Sequence, residues 1–411
     1  MEVFFIKRIL YIADTVPFPY NTGGKLRTAN IMMQLKKEYD IDFMVYSTEP
    51  VEPDQINQMS QHCSHVECFD EGVPSKIKRI CNFLSMKSNK AFVVYSKNMQ
   101  QAIDNLISSK NYSFIIIERL YCYQYIGKYV KRNGFNIPVI LNMHDVEHET
   151  ILYFRKISTS IIKKIYYFFE YYNVVRMEKK AISTVARMVA VSERDKQCYL
   201  KKYSFGREKW IYANNGVDIR IAQNEQIVKR EPATVLFLGS LKHPPNLHGL
   251  AWFVNNIWEY VLEQEQDAKL LVVGSGGITD EYKDMLSAKH RVEYLGYVEN
   301  VYPLLRTCTC LVVPLLSGSG TRLKILEAFS FKTPVVSTTI GAEGIPTLDG
   351  KHLLIADQEI EMANKVLEII HSQELGEQLA KNAYQIVCKD YDWDIIGKKF
   401  IKEIKNINSK C

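Results

Sequence analysis

The sequence lacks the features that mark several common classes of protein. Its 411 residues contain no run of about 18 apolar residues, so no segment is predicted to span a bilayer. The nine cysteines are scattered and form no Cys-x-x-Cys pair, which favours a reducing compartment over a disulfide framework. No full Gly-x-Gly-x-x-Gly fingerprint of a dinucleotide site is present either.

The net charge of the chain is small, and its basic residues are dispersed. A formal net charge of +6, with lysine and arginine spread along the chain, indicates anionic ligands or a membrane surface rather than nucleic acid. The apolar N-terminal residues are interrupted by Lys7 and Arg8, which is unlike a signal peptide. We therefore expect a soluble or peripheral protein in the cytoplasm.

Strand-like apolar runs alternate with helical segments in two blocks. This alternation predicts parallel sheets with helices on both faces, an α/β fold. The runs are Ile9–Ala13, Ile41–Tyr46, Phe114–Ile117, Val139–Leu141 and Met188–Val191, then Val235–Leu238, Leu270–Val273, Val292–Leu295, Leu311–Leu315 and Val335–Ser337. A polar stretch from Arg220 to Pro232 separates the blocks. We predict a Rossmann-like domain over residues 1–218, a hinge over 219–232 and a second Rossmann-like domain over 233–390.

The segment from Pro314 to Ser337 predicts an anion site. A short apolar run is followed by small residues at Ser317–Gly320 and by a helix expected to start at Thr321. Gly318 and Gly320 allow a ligand to approach the backbone, and the amides of a helix N-terminus favour negative charge. A diphosphate would fit such a loop.

The predicted helix places one cation and one carboxylate on its exposed face. Lys324 and Glu327 are three residues apart, opposite an apolar face. Lys324, with Arg322 in the first turn, can bind phosphate oxygens, and Glu327 can accept the two hydroxyls of a ribose. A simple surface ion pair between Lys324 and Glu327 is the alternative.

The motif Gly318-Ser-Gly-Thr-Arg-Leu-Lys-Ile-Leu-Glu-Ala328, followed by Pro334-Val-Val-Ser337, resembles the nucleotide-sugar motif of family 4 glycosyltransferases. Many members carry two glutamates here; Glu327 occupies the second, ribose-binding place, but Ser319 stands at the first. The resemblance is strongest to a subgroup of polysaccharide-assembly enzymes. It implies the GT-B fold, two Rossmann-like domains facing across a cleft, with a C-terminal helix at 391–411 crossing back to the first domain.

The same resemblance implies the reaction. Family members transfer a sugar with retention from a nucleoside diphosphate to an acceptor hydroxyl, here a glycan or lipid-linked glycan in surface polysaccharide or glycolipid assembly. The implied catalytic residues are His144, Arg322, Lys324 and Glu327. No cofactor or metal is expected, and Asp392 and Asp394 are interpreted as helix-capping acids.

Three further segments match the family. Gly23 and Gly24 open a helix after the first strand and, by resemblance, face donor phosphates or acceptor; a plain turn is the alternative. His144 ends a buried strand, in a segment resembling the family's His-Asp motif. Ser240 replaces a usual arginine, and Lys242 follows as a candidate phosphate ligand. The predicted nucleotide-sugar site consists of Gly23, Gly24, Lys242, Gly318, Ser319, Gly320, Thr321, Arg322, Lys324 and Glu327.

The segment from Arg155 to Lys180 is basic, aromatic and amphipathic. It contains Ile161, Ile162, Ile165, Phe168, Phe169, Tyr172 and Val175, flanked by Lys163, Lys164, Arg176, Lys179 and Lys180. One reading is contact with anionic lipid at the inner face of the cell membrane. The other is packing inside the first domain or between subunits.

Two alternative functions stay open. A dinucleotide-dependent oxidoreductase would need the missing glycine fingerprint. A GT-B protein that binds nucleotide without transferring sugar is made credible by Ser319 and Ser240, since relatives place charge at both positions.

Overall fold

The computed structural model describes residues 7–20, 22–75, 77–79, 82, 87–131, 134–223, 229–274, 276, 279–318 and 321–408. The chain divides into two compact units. The first contains Met1–Asn214 and Ile396–Cys411, and the second contains Asn215–Ile395. This division falls just before the predicted end of the first domain at residue 218.

The first unit contains a seven-stranded parallel sheet in the order β3-β2-β1-β4-β5-β6-β7. Its strands are β1 (Lys7–Ala13), β2 (Tyr39–Tyr46), β3 (His65–Phe69), β4 (Phe114–Glu118), β5 (Val139–Asn142), β6 (Arg187–Ala190) and β7 (Trp210–Tyr212). Before residue 214, the α-helices whose bounds the structure describes are α1 (Gly23–Lys36), α2 (Pro53–Ser60), α3 (Asn89–Val93), α4 (Lys97–Ser109), α5 (Tyr123–Ile126), α6 (Glu147–Ile157), α7 (Ile161–Thr184) and α8 (Glu193–Lys202), with 3₁₀ turns at Leu120–Cys122 and Arg207–Lys209. The strands at the centre, such as β4, are apolar runs because helices cover both faces.

The second unit contains a six-stranded parallel sheet in the order β10-β9-β8-β11-β12-β13. Its strands are β8 (Thr234–Leu238), β9 (Lys269–Val273), β10 (Val292–Gly296), β11 (Cys310–Val313), β12 (Val335–Ser337) and β13 (Leu354–Ile355). Its helices are α9 (Ile219–Gln223), α10 (Pro244–Asn256), α11 (Trp258–Gln264), α12 (Asp280–Ser287), α13 (Tyr302–Thr307), α14 (Leu323–Ser330), α15 (Thr339–Ala342), α16 (Glu359–His371) and α17 (Gln373–Ile386), followed by a π-helical turn at Val387–Tyr391. The helix α9 begins the stretch predicted as the hinge.

The core of the second unit lies on both faces of its sheet. Along β8, Val235 and Phe237 pack into one buried cluster, whereas Leu236 and Leu238 pack into another. Successive side chains of a strand point to opposite faces, so Val235–Leu238 must be apolar to fill both clusters. Continuous apolar runs were therefore the correct signal, and the predicted α/β class with two Rossmann-like sheets is confirmed.

The last helix, α18 (Trp393–Asn408), starts in the second unit and continues into the first. At its start, the Trp393 amide donates to the Val217 carbonyl oxygen at 3.2 Å. Further along, a side chain at Gly397 would lie 2.4 Å from Gln34 Cγ, so glycine lets α18 lie close against α1. Lys405 also forms an ion pair with Glu38.

Both sheets reverse their strand order at one point. In the first unit β1 lies between β2 and β4, and in the second β8 lies between β9 and β11. Ligands of open parallel sheets bind outside the carboxyl ends of the strands at such a reversal. A ligand of the first unit is therefore expected near the loops after β1 and β4, and a ligand of the second unit near the loops after β8 and β11.

Candidate functional site

In the second unit, the loop after β11 leads into α14, whose first residue is Leu323. The helix thus starts two residues after the predicted Thr321, and Arg322 occupies the N-cap with an extended ψ of 87°. Lys324 is in the first turn, and Ile325, Leu326 and Phe329 are buried as predicted. Lys324 and Glu327 are half-buried rather than exposed, and the Lys324 ammonium contacts Asn246 on α10 and Phe237 on β8.

The Lys324 ammonium lies at the carboxyl end of β8. Its Nζ donates to Asn246 Oδ1 at 2.9 Å and lies 5.3 Å from the centroid of the Phe237 ring. A Cβ at Gly239 would be 2.8 Å from Lys324 Nζ, and one at Gly274 would be 2.0 Å from the Gly239 carbonyl oxygen. Gly239 therefore makes room for this cation, and Gly274 makes room for the Gly239 carbonyl.

Lys324 and Glu327 are not joined by an ion pair in the described part of the chain, so the predicted alternative of a surface pair does not hold there. Burial lowers the pKa of Lys324 to about 7, and the neighbouring Arg322 acts in the same direction. Burial raises the pKa of Glu327 to about 7, against the opposing effect of Lys324. Both side chains are thus held in surroundings where their charged forms are disfavoured.

The loop before α14 is partly described. Gly318 has a φ of +117°, and a Cβ there would lie 3.3 Å from Arg322 Nη2. Arg322 is buried, and its Nη2 donates to the Ile340 carbonyl oxygen at 3.4 Å. The Thr321 hydroxyl is buried and has no hydrogen-bond partner among the described residues. The predicted site residues Ser319 and Gly320 lie outside the described residues.

Lys242 follows β8 and lies over the glycine turn after β9. A Cβ at Gly276, whose φ is +59°, would be 2.4 Å from Lys242 Cε. The loops after β8, β9 and β11 therefore bring Lys242, Lys324 and Glu327 to the carboxyl edge of one sheet.

In the first unit, His144 follows β5 and pairs with Glu118 at the end of β4. The His144 Nε2 atom hydrogen-bonds the Glu118 carboxylate, and their side chains are 7% and 1% exposed. Burial opposes ionisation of Glu118, yet His144, with Tyr11 and Asn142, holds its pKa below the ordinary value. The His144 Nδ1 atom is buried without a partner among the described residues and faces the Gly24 turn.

Gly24 is required by the close approach of two side chains. A Cβ there would lie 2.7 Å from Arg119 Nη2 and 3.4 Å from His144 Nδ1. Arg119 Nη1 lies 3.4 Å from Asp14 Oδ1, and this carboxylate raises the pKa of Arg119. Gly23, the first residue of α1, is exposed.

Behind His144 lies a buried polar network that sequence reasoning missed. Arg27 Nη2 donates to Asn142 Oδ1 at 2.6 Å, and Asn142 Nδ2 donates to Glu118 Oε1 at 2.9 Å. Burial lowers the pKa of Arg27 to about 10, while Glu118 and Tyr11 favour its charge. Glu118 had one sequence signal, a carboxylate directly after an apolar strand run, but its pairing with His144 requires β4 and β5 to be neighbours.

The described residues contain no group of three or more His, Cys, Asp or Glu side chains that could hold a metal ion. Asp392 Oδ1 accepts a hydrogen bond from the Asp394 amide at 2.9 Å, which is a capping contact. Among the same residues, no helix has the length and apolar character needed to cross a bilayer.

Comparisons with known proteins point to one activity. The family model "Glycosyl transferases group 1" matches residues 232–372, which lie in the second unit. A Klebsiella pneumoniae relative, an uncharacterized 44.6 kDa protein in the cps region, is 26% identical, with 96% of this chain and 99% of the relative covered. An uncharacterized glycosyltransferase of Methanocaldococcus jannaschii is 23% identical over 95% of this chain and 97% of its own.

Solved structures agree on the fold. Sucrose-phosphate synthase from Thermosynechococcus elongatus superimposes with a TM-score of 0.71 at 15% identity, covering 98% of this chain and 100% of that one. Anabaena HepE in complex with UDP gives 0.66 at 14% identity, covering 97% and 100%. The solved structures show that the chain has the GT-B fold, and the family model and the Methanocaldococcus jannaschii relative show that it is similar to glycosyltransferases.

Proposed function

We propose that the chain transfers a sugar, with retention of anomeric configuration and without a metal, from a nucleoside-diphosphate sugar to an acceptor hydroxyl. The observation that carries this proposal is Lys324, held by Asn246 at the carboxyl end of β8, where Gly239 leaves room for its ammonium group. A half-buried lysine with its pKa lowered to about 7 is costly to keep charged unless an anion arrives. The diphosphate of a nucleotide sugar supplies that anion.

Glu327 completes the donor site in this proposal. Its carboxylate lies one helical turn beyond Lys324, at the spacing that lets one ligand reach both. The two hydroxyls of a ribose would donate to its two oxygens, and Lys242 would add a second cation for the phosphates. We assign two roles to Arg322. It holds the loop after β11 through its contacts with Ile340 and Gly318, and it compensates part of the negative charge of the phosphates.

The proposed catalysis rests on stabilising the negative charge that develops on the leaving group. As the bond between the anomeric carbon and the β-phosphate oxygen breaks, negative charge grows on the leaving diphosphate. Lys324 and the N-terminal amides of α14 stabilise that charge, which lowers the barrier without a metal. Ser319 stands at the first glutamate position, so we favour same-face transfer, in which the leaving phosphate takes the acceptor proton.

His144 serves the sugar or the acceptor in this scheme. The Nε2–H tautomer that donates to Glu118 presents Nδ1 as an acceptor for a hydroxyl beside Gly24. Glu118 therefore fixes the tautomer as well as the ring orientation.

The biological setting is proposed from relatives. One relative is a protein of a cps region, and HepE is known in complex with UDP. We propose that the acceptor is a glycan or lipid-linked glycan of a surface polysaccharide or glycolipid. The enzyme would then work in the cytoplasm, at the inner face of the membrane.

A thermal-shift screen against UDP, GDP, ADP, CMP, NAD and NADP tests the proposal. A ligand at about 100 times its Kd stabilises the folded state by about 2.7 kcal/mol, which raises Tm by about 5–10 °C in a unit of this size. We expect one nucleoside diphosphate to give this shift and Glu327→Ala to lose it. A response to NAD alone, or to none of the ligands, would refute the donor site.

Binding without transfer is the second candidate, favoured by Ser319 and Ser240. It is separated from the first by incubating the chain with the matching nucleotide sugars and measuring release of the nucleoside diphosphate. If Ser319→Glu gains release that the wild type lacks, the wild type is a binding protein.

A further inference from the structure

The hairpin of α6 and α7 exposes a band of large apolar side chains. Of the 21 exposed large apolar side chains in the described part of the chain, nine lie between Leu152 and Tyr172. Ile161 and Ile162, at the start of α7, are 74% and 79% exposed. Scattered apolar residues on a surface need no explanation, whereas a contiguous band of this kind marks an interaction site.

The band occupies one side of α7. At about 100° per residue, Ile161, Ile162, Ile165, Phe168, Phe169 and Tyr172 fall within an arc of about 120°. The opposite side is buried through Glu170, Asn173, Val174 and Glu178. The helix therefore has a packed side that anchors it in the first unit and an apolar side that faces solvent. Val175 packs against the core of the first unit as the alternative expected, whereas the six side chains of the band do not.

The hairpin is held together by its own side chains. The rings of Phe154 and Tyr167 stack with centroids 5.9 Å apart, and the Arg155 guanidinium lies 5.0 Å from the Phe168 centroid. Ser160 caps α7 by accepting a hydrogen bond from the Lys163 amide. The band is thus presented by an ordered pair of helices.

Positive charge surrounds the band. From Thr150 to Phe169 the chain has four cations, Arg155, Lys156, Lys163 and Lys164, and no acidic residue. Farther along the exposed side of α7, the apolar residues give way to Arg176, Lys179 and Lys180, which are exposed. Lys131 lies beside Lys180 and, with burial and Arg176, lowers the pKa of Lys180. Cations here are close to one another rather than to acids.

We infer that the α6–α7 hairpin docks onto an anionic membrane surface. Its apolar band enters the boundary between headgroups and acyl chains, and the flanking lysines and arginines contact the anionic headgroups. A second copy of this chain fits less well, because a two-fold interface would place the same cations opposite each other. The inference extends the proposed peripheral location and is independent of the nucleotide site.

The hairpin also connects the membrane to the acceptor side. Helix α6 begins at Glu147, three residues after His144, and its 11 residues span about 16 Å. A docked hairpin would therefore hold the loop of His144 close to the bilayer surface, where a lipid-linked acceptor presents its glycan.

Co-sedimentation of the full chain with vesicles tests this inference. We expect binding to equimolar phosphatidylcholine and phosphatidylglycerol, weaker binding at high salt, and little binding to phosphatidylcholine alone. The triple variant Ile161→Ser, Ile162→Ser, Ile165→Ser should bind at least about tenfold more weakly because apolar burial is lost. Lys163→Gln with Lys164→Gln should weaken binding about fivefold for each charge removed.

Matched controls come from the second unit. Ile360→Ser changes an isoleucine that is 60% exposed, and Lys351→Gln with Lys381→Gln removes two exposed cations; both should bind vesicles like the wild type. All variants should keep the wild-type Tm and the nucleotide-dependent shift, so a failure here is distinct from a failure of the donor site. Wild-type vesicle binding by the triple variant would overturn the inference. So would light scattering that shows a lipid-free dimer which the triple variant converts to a monomer.

Discussion

Replacing Lys324 by glutamine removes the charge of the candidate donor site but keeps a side chain that can donate to Asn246. In the wild type, Lys324 Nζ donates to Asn246 Oδ1 at 2.9 Å, and glutamine offers an amide donor from the same helix position. The substitution therefore separates the charge that a diphosphate needs from the hydrogen bond that the fold uses.

The expected loss of affinity follows from one charge-assisted contact. A hydrogen bond to a charged group contributes about 1.5–3 kcal/mol, so the Kd for the selected nucleoside diphosphate should rise about 10- to 150-fold. The stability of the folded protein should not fall with the affinity. Because burial lowers the folded-state pKa of Lys324 to about 7, the charged side chain destabilises the folded protein below the unfolded pKa, fully so below about pH 7. Glutamine removes that cost, so Tm should stay the same or rise slightly.

Isothermal titration calorimetry with the nucleotide, combined with thermal unfolding, measures both quantities. Lys365→Gln is the matched control, because Lys365 also has a glutamate three residues later and contacts Glu368 Oε1 at 3.0 Å on α16. It should leave the Kd unchanged. A Kd for Lys324→Gln within twofold of the wild type would refute the assignment, and a large fall in Tm would show that Lys324 is structural.

Three further substitutions or conditions test the same site and its counterpart in the first unit. Glu327→Gln should weaken nucleotide binding roughly tenfold but leave inorganic pyrophosphate binding unchanged, because only the nucleotide has a ribose; equal losses by calorimetry would contradict the ribose role. Above about pH 7 the wild-type Kd for the nucleotide should rise towards about tenfold per pH unit, because Lys324 in the free protein loses its proton. A Kd that does not change with pH, or the same rise in Lys324→Gln, would argue against this titration. Gly24→Ala should lower sugar transfer with unchanged nucleotide affinity, because its Cβ would lie 2.7 Å from Arg119 Nη2; wild-type turnover would show that the neighbouring side chains move aside at no cost.

Sequence patterns found the central strands and the edge strand β10, and missed the other three edge strands. Runs such as Phe114–Ile117 and Val235–Leu238 were confirmed because a strand covered by helices on both faces must be apolar throughout. The missed strands are β3, β7 and β13. The first is half-buried and polar in composition at the edge of its sheet, and the other two have three and two residues. Their pairing depends on the neighbouring strand rather than on local pattern.

The candidate donor loop could be predicted from the sequence because its parts are adjacent in the chain. Gly318, Lys324 and Glu327 belong to one loop and one helix, so their spacing alone predicts that they share a ligand. What the spacing could not predict is the half-burial of both side chains, since the contacts of Lys324 with Asn246 on α10 and Phe237 on β8 join residues that are far apart in the chain.

The sequence by itself determined the α/β class, the apolar strands and the order of loop and helix around Lys324, because these depend on residues within a few positions of one another. Tertiary structure alone decided which strand ends meet. Glu118 reaches His144 only because β4 and β5 pair, and Arg119 reaches Asp14 only because β4 also lies beside β1. The exposed band on α7 was likewise decided by packing, since this helix buries the side that carries Glu170, Val174 and Glu178 and leaves its apolar band uncovered.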